Sequence, residues 1–548
     1  MIKNKNQFIV ILTIALIVGV ISIFHVLIGY AKTSPGSVYL WTGHYYLDYF
    51  VYLQAVAQGM WGHWLVNNPF ATDDPTKTLL VWGPYILLGK IASLLHLSAI
   101  AAYWLSVFFL SIAIVFATYI LISKLLPRES FLIKTGALLF SLLATPFVLV
   151  TKASDGINIS PYDFWYAPST ILRRFESVPH HLLGNLLVLI LLILAANIFE
   201  NISGFKPSQI IKRAILISII FIFALSFYPY NIATLFLALG CCGGIYFLSA
   251  IRKKLKNSIV KLFIFFAILG FLVIPFALII KYSSTQSGVI ERIGKKDLLL
   301  SSIPGLSLIV LSLGPLLTLS LLGIKDFLNK FSYSKLLMIF FIVLSYLFSF
   351  TKLSSLFNNF NLRFQTPVIY LFLGVLGILG VRKVASISSK FKNKFAVGLF
   401  SLLILYFVII SGYSFKSMLN DTNIFSPITY LPEGIINGFK KLEKLPKKGN
   451  VLVTPSQILG AVLPIYTDKK TYVARPDFTP NYIEKNIMTS NFYIGAMTND
   501  QALKFLKKNN IAFVVLTSIE GYDSAPLYHY PFLKGVYKNE NIIIFQVV

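Results

Sequence analysis

Long apolar runs occupy most of the first three quarters of the chain. The first run, residues 7–29, is longer than 20 positions and follows Lys3 and Lys5. A membrane-spanning helix needs about 20 mainly apolar residues, whereas the apolar core of a signal peptide is only about 7–15 residues long. We therefore predict a retained first transmembrane helix with its N-terminus in the cytoplasm.

Further apolar runs follow, and together they predict about eleven spanning helices. Besides 7–29, the predicted spans are 99–123, 132–151, 181–199, 211–227, 229–250, 258–280, 301–322, 336–351, 366–381 and 395–413. This pattern is typical of a polytopic transmembrane helical bundle, so the predicted fold class is mainly α.

After residue 413 the long apolar runs end and charged residues return. Residues 451–453, 471–474 and 511–516 are typical of strands, and residues 534–547 of a hairpin. Thr498–Gln501 has the form of a capping box that opens a helix. We predict a transmembrane domain over 1–413 and a small soluble α/β domain over 414–548.

Composition excludes a soluble cytosolic enzyme. Of the 548 residues 56% are hydrophobic and 13% are charged, whereas average globular chains carry about 25% charged residues. A net charge of +27 would favour nucleic-acid binding in a soluble protein. Here most of that charge follows the membrane topology, so we expect no nucleic-acid partner.

The distribution of charges across the predicted spans indicates which side each loop occupies. With the N-terminus in the cytoplasm, 21 of the 33 Lys and Arg residues before position 414 fall on the cytoplasmic side, as the positive-inside rule requires. Eleven spans then place the C-terminal domain outside the cell membrane. Eight of the 11 acids in the same part of the chain fall outside, and this clustering favours an extracytoplasmic active site.

The loop after the first helix, residues 30–98, is long and rich in Trp and Tyr. Residues 44–60 and 79–95 are predicted to form helices that lie along the outer membrane interface. Asp48 follows the first span closely, and it is either a solvated acid or helix cap, or a general base for an acceptor hydroxyl.

The second outer loop, about 152–180, concentrates charged and imidazole side chains. Adjacent arginines suit a phosphate-bearing substrate, because a guanidinium group makes bidentate contacts to phosphate. The alternative is a loop folded on itself by pairing between arginines and acids. The histidine pair lacks a convincing third zinc ligand. The residues concerned are Asp155, Asp163, Arg173, Arg174, His180 and His181.

An acid just after the first span, followed by Tyr52, Ala57, Gly59 and Trp61, resembles the GT-C superfamily. These are integral-membrane glycosyltransferases that use lipid-phosphate sugars, and the resemblance is to the branch of protein O-mannosyltransferases and aminoarabinose transferases. Many members carry two acids here, whereas this chain has only Asp48. The second acid, or the ligands of any metal, are therefore sought among Asp73, Asp74, Asp155 and Asp163. The cofactor is left open, with a divalent cation as one candidate.

Two further stretches match forms seen in the same superfamily. Arg363, Phe364 and Pro367 match an Arg–aromatic–Pro form, which implies that Arg363, helped by Arg173 or Arg174, holds the donor phosphate. The alternative is an arginine that snorkels at a helix start. Tyr472, Arg475, Pro476, Asp477 and the stretch Asn481–Tyr482 resemble the tail domains of many GT-C-like proteins, and we interpret the tail as a lid or docking domain without chemistry.

The resemblance implies a transferase that moves a sugar from a polyprenyl-phosphate donor to a glycan, lipid or protein acceptor, with inversion and with Asp48 as the base. Its product would be a glycan of the cell envelope. Two alternatives stay open: a non-catalytic GT-C-like membrane protein, and a lipid or polysaccharide transporter or flippase. A transporter should show paired broken helices in two matching halves, which the sequence does not show.

Overall fold

The computed structural model describes residues 5–42, 46–74, 77–78, 80–153, 156–164, 167–175, 178–286, 288–299, 301–329, 331–357, 360–387, 392–424 and 429–548. Helices dominate, and the strands are short. The predicted fold class, a mainly helical membrane protein with a small C-terminal α/β part, is confirmed.

Within the described ranges, nine helices are long and apolar enough to cross a membrane. A helix of about 20 residues crosses the hydrocarbon layer, and a continuous helix satisfies its own backbone polar groups there. The nine helices are Lys5–Ala31, Ala99–Leu125, Pro179–Asn201, Pro207–Leu225, Pro229–Arg252, Lys256–Gln286, Tyr333–Phe350, Val368–Ile387 and Lys392–Ile424.

The predicted span 132–151 is wrong in its second half. The helix Phe131–Leu143 ends early, and Val148–Ala153 forms a strand that pairs antiparallel with Gly156–Pro161. Pro146 disfavours a helical conformation for the residue before it, and β-branched residues follow. The remaining 13-residue helix is about 20 Å long, which is short of a bilayer core.

The predicted span 301–322 is also interrupted. Helices Leu306–Leu313 and Pro315–Leu328 meet at an angle of 83°. Gly314 between them has φ 68°, and a Cβ there would lie 2.0 Å from the carbonyl oxygen of Thr145. Only glycine fits both constraints. The described helices therefore provide nine spans, or ten if the bent pair is one span, rather than eleven.

The chain forms two compact units. The first consists of Met1–Ile23, Val107–Lys281 and Lys296–Ser417. The second consists of Phe24–Ser106, Tyr282–Lys295 and Met418–Val548. The first long loop and the C-terminal segment from Met418 onward thus belong to the same unit.

In the first unit, helix Val368–Ile387 packs against Pro315–Leu328 and Phe131–Leu143. Buried apolar residues of these helices, such as Phe140, Leu316 and Val375, form its interior. The shorter helical elements of the first unit are Ile171–Phe175, Lys352–Phe357 and Asn361–Phe364, and helix Gly288–Leu299 has residues in both units.

The second unit contains a four-stranded sheet in the order Asn450–Val453, Ile511–Thr517, Ile542–Val547, Leu533–Lys538. The first two strands are parallel and the other pairs are antiparallel. Two small antiparallel pairs join Ser37–Tyr39 to Tyr430–Pro432 and Val66–Asn67 to Lys77–Thr78. Its remaining helices are Tyr46–Met60, Gly83–Leu94, Glu433–Glu443, Leu459–Tyr466, Tyr482–Tyr493, Asn499–Lys508 and Ala525–Tyr528.

Local signals in the C-terminal segment match the structure closely. Thr498 caps helix Asn499–Lys508 and exchanges hydrogen bonds with Gln501, and the predicted hairpin pairs Leu533–Lys538 with Ile542–Val547. The predicted strand 471–474 is wrong, because Thr471 and Val473 make only isolated bridges, to Val451 and to Ala71 respectively. The latter bridge ties the first long loop to the C-terminal segment.

Helices Tyr46–Met60 and Gly83–Leu94 approach each other at two glycines. A Cβ on Gly59 would lie 2.4 Å from the carbonyl oxygen of Ile86, and one on Gly89 would lie 2.1 Å from that of Val56. Small residues at such crossings allow backbones to touch. Gly59, which belongs to the sequence motif that begins at Asp48, therefore fixes the position of the helix that carries Asp48.

Substituting Gly89→Ala should force these helices apart and destabilise the protein by about 1–3 kcal/mol, the usual cost of overpacking. Thermal unfolding of the purified protein in detergent would measure the change. Gly240→Ala is the matched control, since a helical Cβ there meets no atom within 4 Å. An unchanged melting temperature for Gly89→Ala would contradict the close crossing.

Candidate functional site

Asp48 lies in the first turn of helix Tyr46–Met60. An acid in this position interacts favourably with the helix dipole. Its Oδ1 accepts a hydrogen bond from Nη1 of Arg475 at 3.0 Å. The side chain of Asp48 is 54% exposed, whereas that of Arg475 is 8% exposed. The acid is therefore anchored on one side and open on the other.

Arg475 is held in place by its own surroundings. Its guanidinium carbon lies 5.4 Å from the centre of the Phe478 ring, and its carbonyl oxygen accepts hydrogen bonds from the backbone N–H groups of Phe478 and Thr479. Phe478 in turn contacts Phe70 and Trp82. The sequence marks Arg475 only as part of a tail-domain stretch, and no spacing relates it to an acid 427 positions earlier.

Asp73 and Asp74, the nearest candidates for a second acid, are both paired with basic side chains. Asp73 accepts a hydrogen bond from Lys485, and Oδ2 of Asp74 lies 3.0 Å from Nη2 of Arg292. Asp74 is buried and also accepts from Asn68. These two carboxylates therefore neutralise a buried lysine and a partly exposed arginine of the same unit.

Lys470 adds a further positive group beside this pair. Its ammonium donates to the carbonyl oxygen of Asp74 at 3.2 Å. Burial lowers the pKa of Lys470, and the nearby carboxylate of Asp74 partly offsets that effect. The surroundings of Asp74 are thus rich in hydrogen-bond donors, which suits a structural anion better than a metal ligand.

In the first unit, the described part of the loop 152–180 contains one pair of the kind that the alternative interpretation predicts, between Arg173 and Asp163. Nε of Arg173 lies 3.5 Å from Oδ2 of Asp163, and Oδ1 of Asp163 accepts the N–H of Phe164. The side chain of Arg173 is 41% exposed, so it remains accessible. Asp155 lies outside the described residues.

Arg174, adjacent in sequence, is buried and has a different environment. Its guanidinium group donates to the carbonyl oxygens of Leu142 at 2.8 Å and Pro168 at 3.0 Å, and also to those of Ser169 and Ala144. It lies over the ring of Tyr370 at 4.3 Å. Burial lowers the pKa of Arg174 to about 10, so it stays charged at neutral pH. It satisfies carbonyls where helix Phe131–Leu143 ends.

Arg363 lies in the short helix Asn361–Phe364. Its Nη2 donates to Oδ2 of Asp297, and its guanidinium carbon lies 5.9 Å from the centre of the Tyr230 ring. The side-chain amide of Asn231 donates to the carbonyl oxygens of Arg363 and Gln365. The backbone of this turn is therefore fixed to helix Pro229–Arg252.

Asp297 is a partner that sequence reasoning missed. It is 12% exposed at the side chain, against 25% for Arg363. The only sequence signal is the charged run 291–297 between apolar segments. Carboxylate and phosphate groups both offer oxygens that a guanidinium group can bind in pairs, so Asp297 occupies a position that a phosphate could also take.

No set of three or more His, Cys, Asp or Glu side chains in the described part of the chain is arranged to hold a metal ion. The rings of His180 and His181 lie 4.3 Å apart, edge to face, and the described acids among the proposed ligands, Asp73, Asp74 and Asp163, pair with cations. The described residues thus bring together Asp48 with Arg475, Asp163 with Arg173, and Arg363 with Asp297.

Neither a protein-family model nor a curated protein sequence matches the chain. Solved structures do match it. Arabinofuranosyltransferase AftD from Mycobacteria aligns with 100% of this chain and 42% of its own, at 13% identity and a TM-score of 0.53. The oligosaccharyltransferase AglB from Archaeoglobus fulgidus, solved with an inhibitory peptide and a dolichol-phosphate, aligns over 93% and 69%, at 14% identity and a TM-score of 0.50.

A third match is ArnT from Cupriavidus metallidurans, solved with undecaprenyl phosphate, which aligns over 100% and 99% at 12% identity and a TM-score of 0.47. The first two likenesses, together with the many apolar helices, show that this chain has the GT-C fold of membrane glycosyltransferases. The resemblance inferred from the residues around Asp48 is confirmed at the level of the fold.

Removing the buried guanidinium group of Arg174 should destabilise the region around it. Arg174→Met leaves several buried carbonyls without donors, and we expect a loss of at least about 3 kcal/mol. Arg173→Met is the matched control, because exposed ion pairs contribute about 0–1 kcal/mol. Thermal unfolding in detergent measures both variants, and equal melting temperatures would contradict a structural role for Arg174.

Proposed function

We propose that this protein is a glycosyltransferase that moves a sugar from a polyprenyl-phosphate donor to an acceptor on the extracytoplasmic side of the cell membrane. The observation that carries the proposal is the state of Asp48: an exposed carboxylate, anchored by a buried arginine, in a chain with the GT-C fold. The concentration of Lys and Arg in loops predicted to be cytoplasmic supports an outward-facing site.

The proposed reaction is a single displacement. Asp48 accepts the proton of an acceptor hydroxyl or amine while the acceptor atom attacks C1 of the sugar. The bond between C1 and the phosphate oxygen breaks, and the polyprenyl phosphate leaves with the electron pair. Attack from the face opposite the leaving group inverts the configuration at C1.

Arg363 is the residue we assign to the leaving phosphate. It is a partly exposed guanidinium group on a fixed turn, and such a group stabilises the charge that develops on phosphate oxygens. Arg173 is accessible enough to assist. Arg174 faces backbone carbonyls on several sides, so we assign it no contact with the donor.

No step is assigned to a divalent cation. Asp73, Asp74 and Asp163 each pair with a basic side chain, so the described candidates for a second acid serve as counter-ions. The alternatives of a transporter and of a non-catalytic membrane protein gain no specific support. One bent helix pair occurs within the described ranges, whereas a transporter built on matching halves needs two.

The Asp48→Asn variant tests the base. The amide nearly preserves size but cannot accept the proton, so transfer should slow by about 10²–10⁴-fold while donor binding survives. The assay is transfer of labelled sugar from a panel of polyprenyl-phosphate sugars by the purified protein in detergent.

The matched control for that experiment is Asp468→Asn. Asp468 is an exposed acid of the same unit, paired with His63 at 3.0 Å, and its loss should leave transfer unchanged. Full activity of Asp48→Asn would remove Asp48 as the base. A wild-type protein that transfers no sugar from any donor of the panel would favour a non-catalytic GT-C-like protein.

Arg363→Lys tests the phosphate contact. A lysine keeps the charge but cannot reproduce the planar fork, so we expect donor affinity and kcat/KM to fall by about 10- to 100-fold, the value of a charged hydrogen bond. Arg382→Lys is the control, because Arg382 pairs with Glu129 in the same unit. Normal donor binding by Arg363→Lys would reduce Arg363 to a membrane anchor.

A further inference from the structure

We infer that Arg475, a residue of the C-terminal segment, is a positioning residue for the carboxylate of Asp48. The inference rests on the proposed function, in which Asp48 is the base. It gives the C-terminal segment a direct part in the reaction, where the sequence alone indicates a lid or docking role.

The ion pair has the geometry that a positioning role requires. One oxygen of Asp48 accepts a hydrogen bond from Nη1 of Arg475, and more than half of the Asp48 side chain stays exposed. An acceptor can therefore reach the carboxylate from the side away from Arg475. A base that is held on one oxygen loses little orientation freedom when the substrate binds, which favours reaction.

The anchor itself is rigid. Thr479 donates through Oγ1 to the carbonyl oxygen of Phe70 at 2.7 Å and accepts the N–H of Ala474 at 3.2 Å. These bonds clamp the turn that carries Arg475 onto the first long loop. Phe478 packs beneath the guanidinium group and restricts its rotation. The orientation of Arg475 is thus set by the fold before any substrate arrives.

The ion pair between Lys485 and Asp73 is a structural pair with which the Arg475–Asp48 pair can be compared. Lys485 is 8% exposed and pairs with Asp73, which is 47% exposed, so burial of cation and acid matches the Arg475–Asp48 pair. Lys485 also lies over the ring of Tyr472. The difference lies in the cation, because an ammonium is a point charge whereas a guanidinium group has a fixed plane.

The experiment compares Arg475→Gln, Arg475→Lys and the control Lys485→Gln in the sugar-transfer assay, with kcat and the KM for the donor measured separately. Arg475→Gln should lower kcat by about 10- to 100-fold, the size typical of partners that orient catalytic groups, and leave the KM nearly unchanged. The kcat of Arg475→Lys should lie between the kcat of Arg475→Gln and that of the wild type. Lys485→Gln should lose thermal stability but retain kcat.

The second arm asks whether Arg475 acts through Asp48. In the Asp48→Asn background, Arg475→Gln should cost little further activity, because residues that act as a unit are not additive. A merely structural role would lower the rate in both backgrounds by the same factor. If Arg475→Gln does not fold, the same cycle is run with Arg475→Lys.

Two results would overturn the inference while the proposed function stands. The first is a kcat of Arg475→Gln that equals the kcat of the control Lys485→Gln, while the wild type is active. The second is a double variant of Arg475 and Asp48 whose loss of rate is the product of the two single losses. An inactive wild type across the donor panel overturns the proposed function and this inference with it, and is recognised because every variant is then equally inactive.

Discussion

The second unit depends on ion pairs between acids of the first long loop and cations from distant parts of the chain. Asp48, Asp73 and Asp74 pair with Arg475, Lys485 and Arg292 respectively. Arg475 and Lys485 are buried, and burying a cation without a partner costs several kcal/mol, so these two side chains require their carboxylates. These pairs, with the bridge from Ala71 to Val473, make the loop and the C-terminal segment one folded unit, and they fix the acid on which the proposed chemistry relies.

The first unit is governed by a different constraint, the absence of water inside a bilayer. Continuous helices satisfy this constraint because their backbone N–H and C=O groups bond to one another. Where a helix is interrupted, other protein groups bond to or cover the exposed backbone. Helix Phe131–Leu143 ends with its carbonyls bonded to Arg174. At the bend, the backbone of Gly314 lies close to the backbone of Thr145. Irregular backbone is thus tolerated where protein groups cover it.

Four arginines have the same guanidinium group but different surroundings, and the surroundings decide the role of each. Arg174 is surrounded by carbonyls, and Arg173 remains open beside Asp163. Arg363 donates to the carboxylate of Asp297, a type of anion that a guanidinium group binds as it binds phosphate, and Arg475 holds a carboxylate that itself stays accessible. Burial and the type of partner distinguish a structural guanidinium group from one that orients a base or meets a substrate. The same contrast separates Arg475 from Lys485 within one unit.

The sequence by itself determined the helical membrane class, most of the span positions, the C-terminal hairpin and capping box, and the resemblance around Asp48, because hydropathy and caps are local properties. It did not predict the breaks in two spans, where the helix stops before Pro146 and bends at Gly314 although the apolar run continues. It did not find Arg475 or Asp297 as partners, and it did not separate Arg174 from Arg173. Those features depend on which side chains meet across hundreds of residues and on how deeply each is buried, and only the tertiary structure decides that.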